Sequence, residues 1–196
     1  MANLFDGILG RFTASIMARM NADAEREAVD LLAPAARDRV LVIGFGAGVG
    51  IATLAERYPD LGIVGADPSA TMVRVAMRRN HRAVAAGRVR LVRGVTEQLD
   101  LPAASFDGAV AVNSLQFCQP LPAIAAALAR LLCAGGRLVT LTHDWALVRR
   151  SGSVDAFLDE AQDAFAATGF VDFVTGRARA EKGHAVMFRA IRGPGA

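Results

Sequence analysis

The residues that most constrain the fold are Val40–Gly50, which read "VLVIGFGAGVG". The apolar run Val40–Ile43 predicts a buried β-strand. Glycines then occupy every second position, namely Gly44, Gly46, Gly48 and Gly50. A glycine-rich loop lets backbone N–H groups come close to a ligand. The stretch therefore predicts an α/β protein with a ligand at the end of this strand.

Short apolar runs alternate with helical patterns along the rest of the chain. The runs predict strands at Val40–Ile43, Gly62–Ala66, Val89–Val92, Gly108–Val112, Arg137–Thr142, Phe170–Thr175 and Ala185–Ile191. Helical periodicity predicts helices at Gly50–Tyr58, Ser69–Asn80, Leu121–Cys133 and Val154–Ala167. Continuous apolar strands alternating with helices indicate a parallel sheet covered on both faces, and the last two strands are close enough in sequence for an antiparallel hairpin.

The N-terminal segment has a different pattern. Its apolar residues from Leu4 to Met20 recur at helical spacing and predict an amphipathic helix. Asn21 is suited to cap a second helix, which Pro34 ends shortly after Leu32. We expect residues 1–34 to form helices that flank the ligand site and act as a lid. Residues 35–192 form the ligand-binding part of a single domain.

Composition excludes several classes of protein. The chain has 196 residues, of which 53% are hydrophobic and 21% charged, as in ordinary globular domains. The net charge of +3 is small, and no basic run is interleaved with aromatic residues, so nucleic-acid binding is not expected. No apolar run is long enough to span a bilayer, and Asp6 and Arg11 interrupt the N-terminal apolar residues, which argues against a signal peptide.

Cysteines and histidines give no metal-site pattern. Cys118 and Cys133 are isolated within apolar stretches, so the sequence predicts free thiols and a cytoplasmic protein. The three histidines lack the spacing of metal ligands, and no metal is expected.

Two classes of cofactor use a glycine loop at the carboxyl end of a strand in an open α/β sheet. The dinucleotide fingerprint requires G-x-G-x-x-G. Counted from Gly44, the last glycine of that pattern would fall on Val49, and counted from Gly46 it would fall on Ile51. The observed spacing is G-x-G-x-G-x-G, which disfavours an NAD-dependent oxidoreductase.

The glycine segment resembles the first motif of class I S-adenosylmethionine-dependent methyltransferases. The order of elements is also similar to that family's sheet, and the resemblance extends from about Ala33 to Arg192. Among its members, the chain most resembles the small bacterial methyltransferases of ubiquinone and menaquinone synthesis. The resemblance implies a Rossmann-like, seven-stranded, mostly parallel sheet with an antiparallel C-terminal hairpin and helices on both faces. It also implies S-adenosylmethionine as cofactor and a small-molecule methyl acceptor.

The resemblance assigns the donor to the glycine loop and the end of the second strand. In "IVGADPSATM", the Asp67 carboxylate can accept both ribose hydroxyls, with Pro68 beside it. The alternative for Asp67 is to cap the helix that begins near Ser69. The loop residues that the resemblance assigns to the donor are Gly44, Phe45, Gly46 and Gly48.

Three further segments match the family in order. Met72 would pack on the adenine, with plain core packing as the alternative. In "VRLVRGVTEQLDLP", Thr96 and Glu97 would present backbone and side chain to the base, with a surface loop as the alternative. In "FDGAVAVNSLQF", Asn113 and Ser114 would lie near the transferable methyl.

The sequence departs from the family pattern at two positions. Val42 stands where the family usually has an acid that helps to hold the amino end of the methionine moiety. Val95 replaces a second acid that often binds the adenine amino group. These departures predict weaker donor binding than in an acid-bearing relative.

Methyl transfer from a sulfonium needs alignment of donor and acceptor, and often a general base. His143, in "LTHDW", is the main candidate base because it follows the fifth strand, and Asn113 is the second catalytic candidate. Asp144 and His184 are alternatives, and Trp145 is placed to stack on an aromatic acceptor or to pack. Two functions follow: methyl transfer to a small molecule, or a catalytically degenerate cofactor-binding module with a regulatory or structural role. Nothing in the sequence specifies an oligomeric state.

Overall fold

The computed structural model of the protein describes residues 21–179 and 184–194. The strands in this part of the chain are β1 (Arg39–Ile43), β2 (Gly62–Asp67), β3 (Val89–Arg93), β4 (Phe106–Val112), β5 (Leu132–His143), β6 (Phe170–Arg177) and β7 (Ala185–Arg192). The helices are α1 (described over residues 21–32), α2 (Val49–Arg57), α3 (Ala70–Arg79), α4 (His81–Ala85), α5 (Leu121–Leu131), α6 (Asp144–Ser151) and α7 (Val154–Ala166). Short 3₁₀ turns lie at Thr96–Gln98 and Leu115–Phe117.

The strands form one sheet in the order β3-β2-β1-β4-β5-β7-β6. Pairing is parallel from β3 through β5, whereas β7 is antiparallel to both β5 and β6. The chain moves outward from β1 to β3 and then crosses to β4 on the other side of β1. The strand order therefore reverses at β1 and β4, and their carboxyl ends border the crevice in which such sheets bind ligands. This arrangement confirms the predicted Rossmann-like fold.

Both faces of the sheet are buried, as the continuous apolar strands predicted. Because successive side chains point to opposite faces of a strand, β1 contributes to two separate cores. Leu41 and Ile43 pack in the core that contains α5 and α7. Val40 and Val42 pack in the core that contains α1, α2 and α3. Helix α1 therefore lies on the same side of the sheet as the helix that follows the glycine loop.

Two predicted boundaries are wrong near Cys133. The helix α5 ends at Leu131, because Leu132 already pairs with Phe106 in the sheet. The strand predicted to begin at Arg137 begins at Leu132, so Gly135 and Gly136 lie inside β5, beside a register shift in its pairing with β4. Gly135 has φ +79°, so the strand is locally distorted there instead of reversing direction.

Helix α6 was not predicted. It begins directly after β5 and is short, with Ala146 and Leu147 buried and Trp145 and Val148 exposed. Adjacent buried residues do not produce the spacing of three and four that marks an amphipathic helix. The helix therefore has no periodic signal in the sequence.

The N-terminal prediction is tested only in part. The amphipathic helix expected between Leu4 and Met20 lies outside the described residues. Helix α1 ends at Leu32, as predicted, but Asn21 lies within it and does not cap it. Its apolar side chains, among them Ala28, Val29 and Leu32, are fully buried against the sheet. No helix in the described ranges has the length and apolarity needed to cross a bilayer.

Leu32 fixes α1 to the sheet, which makes it a test of this packing. A Cβ placed on Gly108 of β4 would lie 2.9 Å from Leu32 Cδ1, so the two residues are in direct contact. We expect Leu32→Ala to lower the free energy of unfolding by about 2–5 kcal/mol, measured by urea denaturation, because it leaves a cavity in the core. Val148→Ala, at a side chain that is 46% exposed, should change it by no more than about 0.5 kcal/mol. If both variants lowered the free energy of unfolding by equally small amounts, the packing of Leu32 against the sheet would be contradicted.

Candidate active site

The glycine loop connects β1 to α2 at the carboxyl edge of the sheet. Gly44, Gly46 and Gly48 have φ of +61°, +52° and +75°, in the left-handed region that favours glycine. The Gly44 amide donates to the Ala66 carbonyl at 2.8 Å, which anchors the loop to the end of β2. The backbone of the loop is therefore held in place by β2.

The three glycines differ in what surrounds them. A Cβ on Gly44 would lie 2.5 Å from the Ser114 Cβ, and a Cβ on Gly48 would lie 2.8 Å from the Ala76 Cβ. No protein atom of the described chain lies within 4 Å of a Cβ placed on Gly46. Packing within the protein thus explains two glycines, whereas Gly46 borders open space in the crevice. Such a cradle fits a cofactor that approaches the backbone closely.

Asp67 holds this loop in place from the end of β2. It is 6% exposed, and its carboxylate oxygens accept from the Gly46 amide at 2.9 Å and the Ser69 amide at 2.8 Å. Burial raises the pKa of Asp67, and these two hydrogen bonds oppose the rise. The cap of α3 is Ser69, whose hydroxyl accepts from the Met72 amide. A carboxylate accepts about four hydrogen bonds, so Asp67 retains capacity for ligand hydroxyls.

Gly50, the fourth glycine, contacts an acid that the sequence analysis missed. Its amide, in the first turn of α2, donates to the Glu25 carboxylate of α1. A Cβ on Gly50 would lie 3.0 Å from Glu25 Oε2, so the absence of a side chain makes room for the acid. Glu25 is half-buried and lies at helical spacing from the buried residues 28, 29 and 32 on one face of α1, and an acid at such a position was the signal available in the sequence.

Glu25 lies at the carboxyl end of β1, next to Val42. Together with Gly44, Val42 and Val112 it lines a cavity of about 20 Å³, which is room for one water-sized group. Burial raises the pKa of Glu25 to about 7, against the hydrogen bond from Gly50 and the positive charges of Arg79 and Arg26. No other ionisable side chain of the described residues lines this cavity.

Asn113 and Ser114 stand at the carboxyl end of β4, facing the loop. Asn113 has φ +48°; its side-chain oxygen accepts from the His143 amide at 2.9 Å and its Nδ2 donates to Asn21 at 3.1 Å. This side chain therefore joins β4, β5 and α1. The Ser114 hydroxyl donates to the Ile43 carbonyl at 2.8 Å. Both residues shape the crevice, and their predicted closeness to the methyl group stays a prediction.

His143 and its neighbours form one side of the crevice mouth. The rings of His143 and Trp145 stack with centroids 6.0 Å apart, and Trp145 is 61% exposed. Asp144 accepts from Arg177 at 3.1 Å and lies 3.6 Å from His184 Nδ1. Since Asp144 and His184 pair with each other, His143 remains the better placed candidate base.

The remaining predicted residues separate into buried and exposed positions. Met72 is buried in the core, and the Phe45 side chain packs against Gly65 instead of pointing into the crevice. Thr96 is 3% exposed, and its hydroxyl has no hydrogen-bond partner in the part of the chain that the structure describes. Glu97 is partly buried, whereas Pro68 and Val95 are exposed.

Comparisons with known proteins agree with this arrangement. Residues 40–136 match the family described as a methyltransferase domain. The Nocamycin O-methyltransferase of Saccharothrix syringae is 34% identical over 170 residues, covering 81% of this chain and 59% of that protein. The uncharacterized methyltransferase YdaC of Bacillus subtilis (strain 168) is 32% identical over 99 residues, covering 50% of this chain and 52% of that protein.

A solved structure shows the same fold. The geranyl diphosphate C-methyltransferase of Streptomyces coelicolor A3(2), in complex with S-adenosyl-L-homocysteine, has a TM-score of 0.72 at 16% identity, covering 95% of this chain and 85% of that chain. Residues 40–136 therefore match a methyltransferase domain, and the described chain has the fold of solved S-adenosylmethionine-dependent methyltransferases. The chain spans about half the length of the named relatives that it matches, from 41% to 59%.

The raised pKa of Glu25 predicts a pH-dependent cost in stability. A carboxyl whose pKa rises from 4.5 to about 7 on folding destabilises the fold as pH increases through that interval, by about 3 kcal/mol at 1.36 kcal/mol per pH unit. Glu25→Gln keeps an acceptor for the Gly50 amide but cannot ionise. Urea denaturation should therefore find the variant more stable than wild type at pH 8 and nearly equal at pH 4.5.

Asp30→Asn is the control for this comparison, because Asp30 is an exposed residue of the same helix. It should lack the gain in stability at pH 8. A Glu25→Gln variant that is less stable than wild type at pH 8 would show that Glu25 is not enclosed as described.

Proposed function

We propose that this protein transfers a methyl group from S-adenosylmethionine to a small-molecule acceptor. The observation that carries the proposal is the open cradle at Gly46, whose amide is fixed by Asp67 at the crevice between β1 and β4. When bound there, the cofactor would supply a sulfonium methyl group to an incoming nucleophile, with S-adenosylhomocysteine as the leaving group. The residues of the chain bind and orient the two reactants.

The donor would lie across the glycine loop. Its ribose, its adenine and its reacting centre would each lie beside the residues whose polar groups suit them. Asp67 has acceptor capacity for the ribose hydroxyls beside Gly46. Thr96, with its buried and unpartnered hydroxyl, and the adjacent Glu97 would meet the adenine edge. Asn113 and Ser114, fixed at the end of β4, would border the reacting centre.

The acceptor would enter beside His143 and Trp145. The exposed Trp145 ring offers a stacking surface for a flat or apolar molecule. An oxygen acceptor loses its proton as the methyl group arrives, and the imidazole of His143 would be the group to take it. The relatives named O-methyltransferases support oxygen as the atom methylated. A phenolic quinone precursor, the acceptor class suggested by the sequence resemblance, belongs in the test panel.

A first experiment separates the candidate functions. Isothermal titration with S-adenosylmethionine, S-adenosylhomocysteine and NAD should give binding of the first two alone. Turnover with a panel of phenols, hydroxy acids and amines, followed by mass spectrometry, then distinguishes an enzyme from a degenerate cofactor-binding module. Binding without transfer to any acceptor would favour the module, and binding of NAD alone would refute both.

Gly46→Ala tests the cradle directly. The new methyl group would occupy the open space above the loop, so we expect the affinity for S-adenosylhomocysteine to fall at least about 10-fold, a loss of about 1.4 kcal/mol. Gly87→Ala is the matched control, because Gly87 also has a positive φ, +72°, and open space around its Cβ position. Both variants carry similar backbone strain of about 1–2 kcal/mol, which thermal melts would confirm. Equal affinities in the two variants would contradict the assignment.

His143→Ala tests the base. For an oxygen acceptor we expect kcat to fall about 10²–10⁴-fold, the usual contribution of a general base, while the Kd for S-adenosylhomocysteine stays near the wild-type value. His81→Ala, at a histidine of α4 away from the crevice, is the control. Unchanged kcat at all pH values would exclude His143 from proton transfer.

A further inference from the structure

Any donor with an amino acid end brings a positive charge to the glycine loop. The α-amino group of S-adenosylmethionine is an ammonium below a pKa of about 8, and a partly buried ammonium needs an anionic partner. Two carboxylates flank the loop among the described residues. Asp67 lies on the side of Gly46, and Glu25 lies on the side of Gly44 and Gly50.

We propose that Glu25, on helix α1, binds the ammonium group of the methyl donor. The proposal rests on the proposed function, since it concerns the same cofactor. It assigns to α1 a direct part in the cofactor site, in addition to its packing against the sheet.

Geometry places Glu25 where an ammonium group could meet it. The cavity beside its carboxylate has room for one water-sized group, which is the size of an ammonium. The other walls are Val42, Gly44, Val112 and neighbouring apolar residues, so no competing charge is present among the described residues. The Gly50 amide is the one hydrogen-bond donor to Glu25 in the described part of the chain, which leaves acceptor capacity on the carboxylate.

Asp67 is less well placed for this task. Both of its oxygens already accept backbone amides, and they lie at the end of β2, beside the ribose position of the proposed function. Val42, a residue of β1 that lines the cavity, carries no charge. Glu25 is therefore the carboxylate that remains for the amino acid end of the donor.

A purely structural role does not explain why residue 25 is an acid. The Gly50 amide needs only an oxygen acceptor, and a neutral side chain such as glutamine would supply one without the cost of ionisation. Burial raises the pKa of Glu25 to about 7, so the ionised form destabilises the free protein near neutral pH. A bound ammonium would offset that cost, which links the acid to the ligand.

The same ionisation makes donor binding pH-dependent. The charged groups that act on Glu25 are Arg26 from its own helix and Arg79 from α3, whereas β1, β4 and the start of α2 present apolar side chains and backbone. Free Glu25 is largely protonated at pH 6, and pairing with an ammonium requires it to ionise. Binding at pH 6 should therefore release close to one proton, and below pH 7 the affinity should fall up to about tenfold per pH unit.

The test compares two ligands that differ in the amino acid end. S-adenosylhomocysteine carries the ammonium group, and 5′-methylthioadenosine shares the nucleoside and thioether but lacks that end. By calorimetry at pH 7.5, Glu25→Gln should bind S-adenosylhomocysteine about 10- to 100-fold more weakly than wild type, the scale of a charged hydrogen bond. It should bind 5′-methylthioadenosine with unchanged affinity. Asp30→Asn, which removes a carboxylate from the exposed side of the same helix, should change neither.

Each outcome decides between the proposals. Equal weakening of both ligands by Glu25→Gln, or no weakening, overturns the role of Glu25 while leaving the proposed function intact. Wild-type protein that binds neither ligand refutes the proposed function, and the role of Glu25 with it. If the variant fails to fold, wild-type calorimetry in two buffers of different ionisation enthalpy still decides: release of close to one proton at pH 6 supports the proposal, and no proton release overturns it.

Discussion

The hydrogen bond from the Gly46 amide to the Asp67 carboxylate is the constraint on which the site depends. It joins the glycine loop after β1 to the end of β2, and it fixes the backbone at Gly46, which has no side chain to hold it. The bond is costly to form because burial disfavours the ionised carboxyl, and the Ser69 amide shares in offsetting that cost. A loop held in this way is ready to receive a ligand before the ligand arrives, which reduces the ordering cost of binding.

Helix α1 contacts several parts of this site. Its buried face reaches the core through Leu32, the start of α2 through Glu25, and the end of β4 through Asn21. Asn113, which bonds Asn21, also accepts a hydrogen bond from the His143 amide at the end of β5. The segments expected to bind the donor and the acceptor are thus tied to one helix, so a change in the position of α1 would alter both.

The sheet and the glycine loop are features that this chain shares with the methyltransferases it resembles. The features particular to this chain concern where charged side chains lie around the loop. Val42 leaves the end of β1 apolar, and the acid at that point comes from a different element, Glu25. If Glu25 binds the ammonium group as proposed, a residue of α1 takes the place of an acid on the strand. The exposed rings and ion pair near His143, in contrast, lie at the open mouth of the crevice, where the acceptor would be selected. In the proposed function, donor and acceptor recognition would therefore fall on different sides of the crevice.

The sequence by itself determined the order of the strands and helices, the α/β class, and the positions of Gly46 and Asp67. It could do so because side-chain periodicity and glycine spacing are local properties of the chain. Only the tertiary structure decided that Gly44 packs against Ser114 and Gly48 against Ala76. It also decided that Asn113 forms hydrogen bonds with α1 and β5, and that Glu25 accepts one from Gly50. These contacts join residues 25 to 92 positions apart, and such pairs carry no periodic signal. The end of α5 and the existence of α6 were decided in the same way, by pairing and packing that the local pattern does not encode.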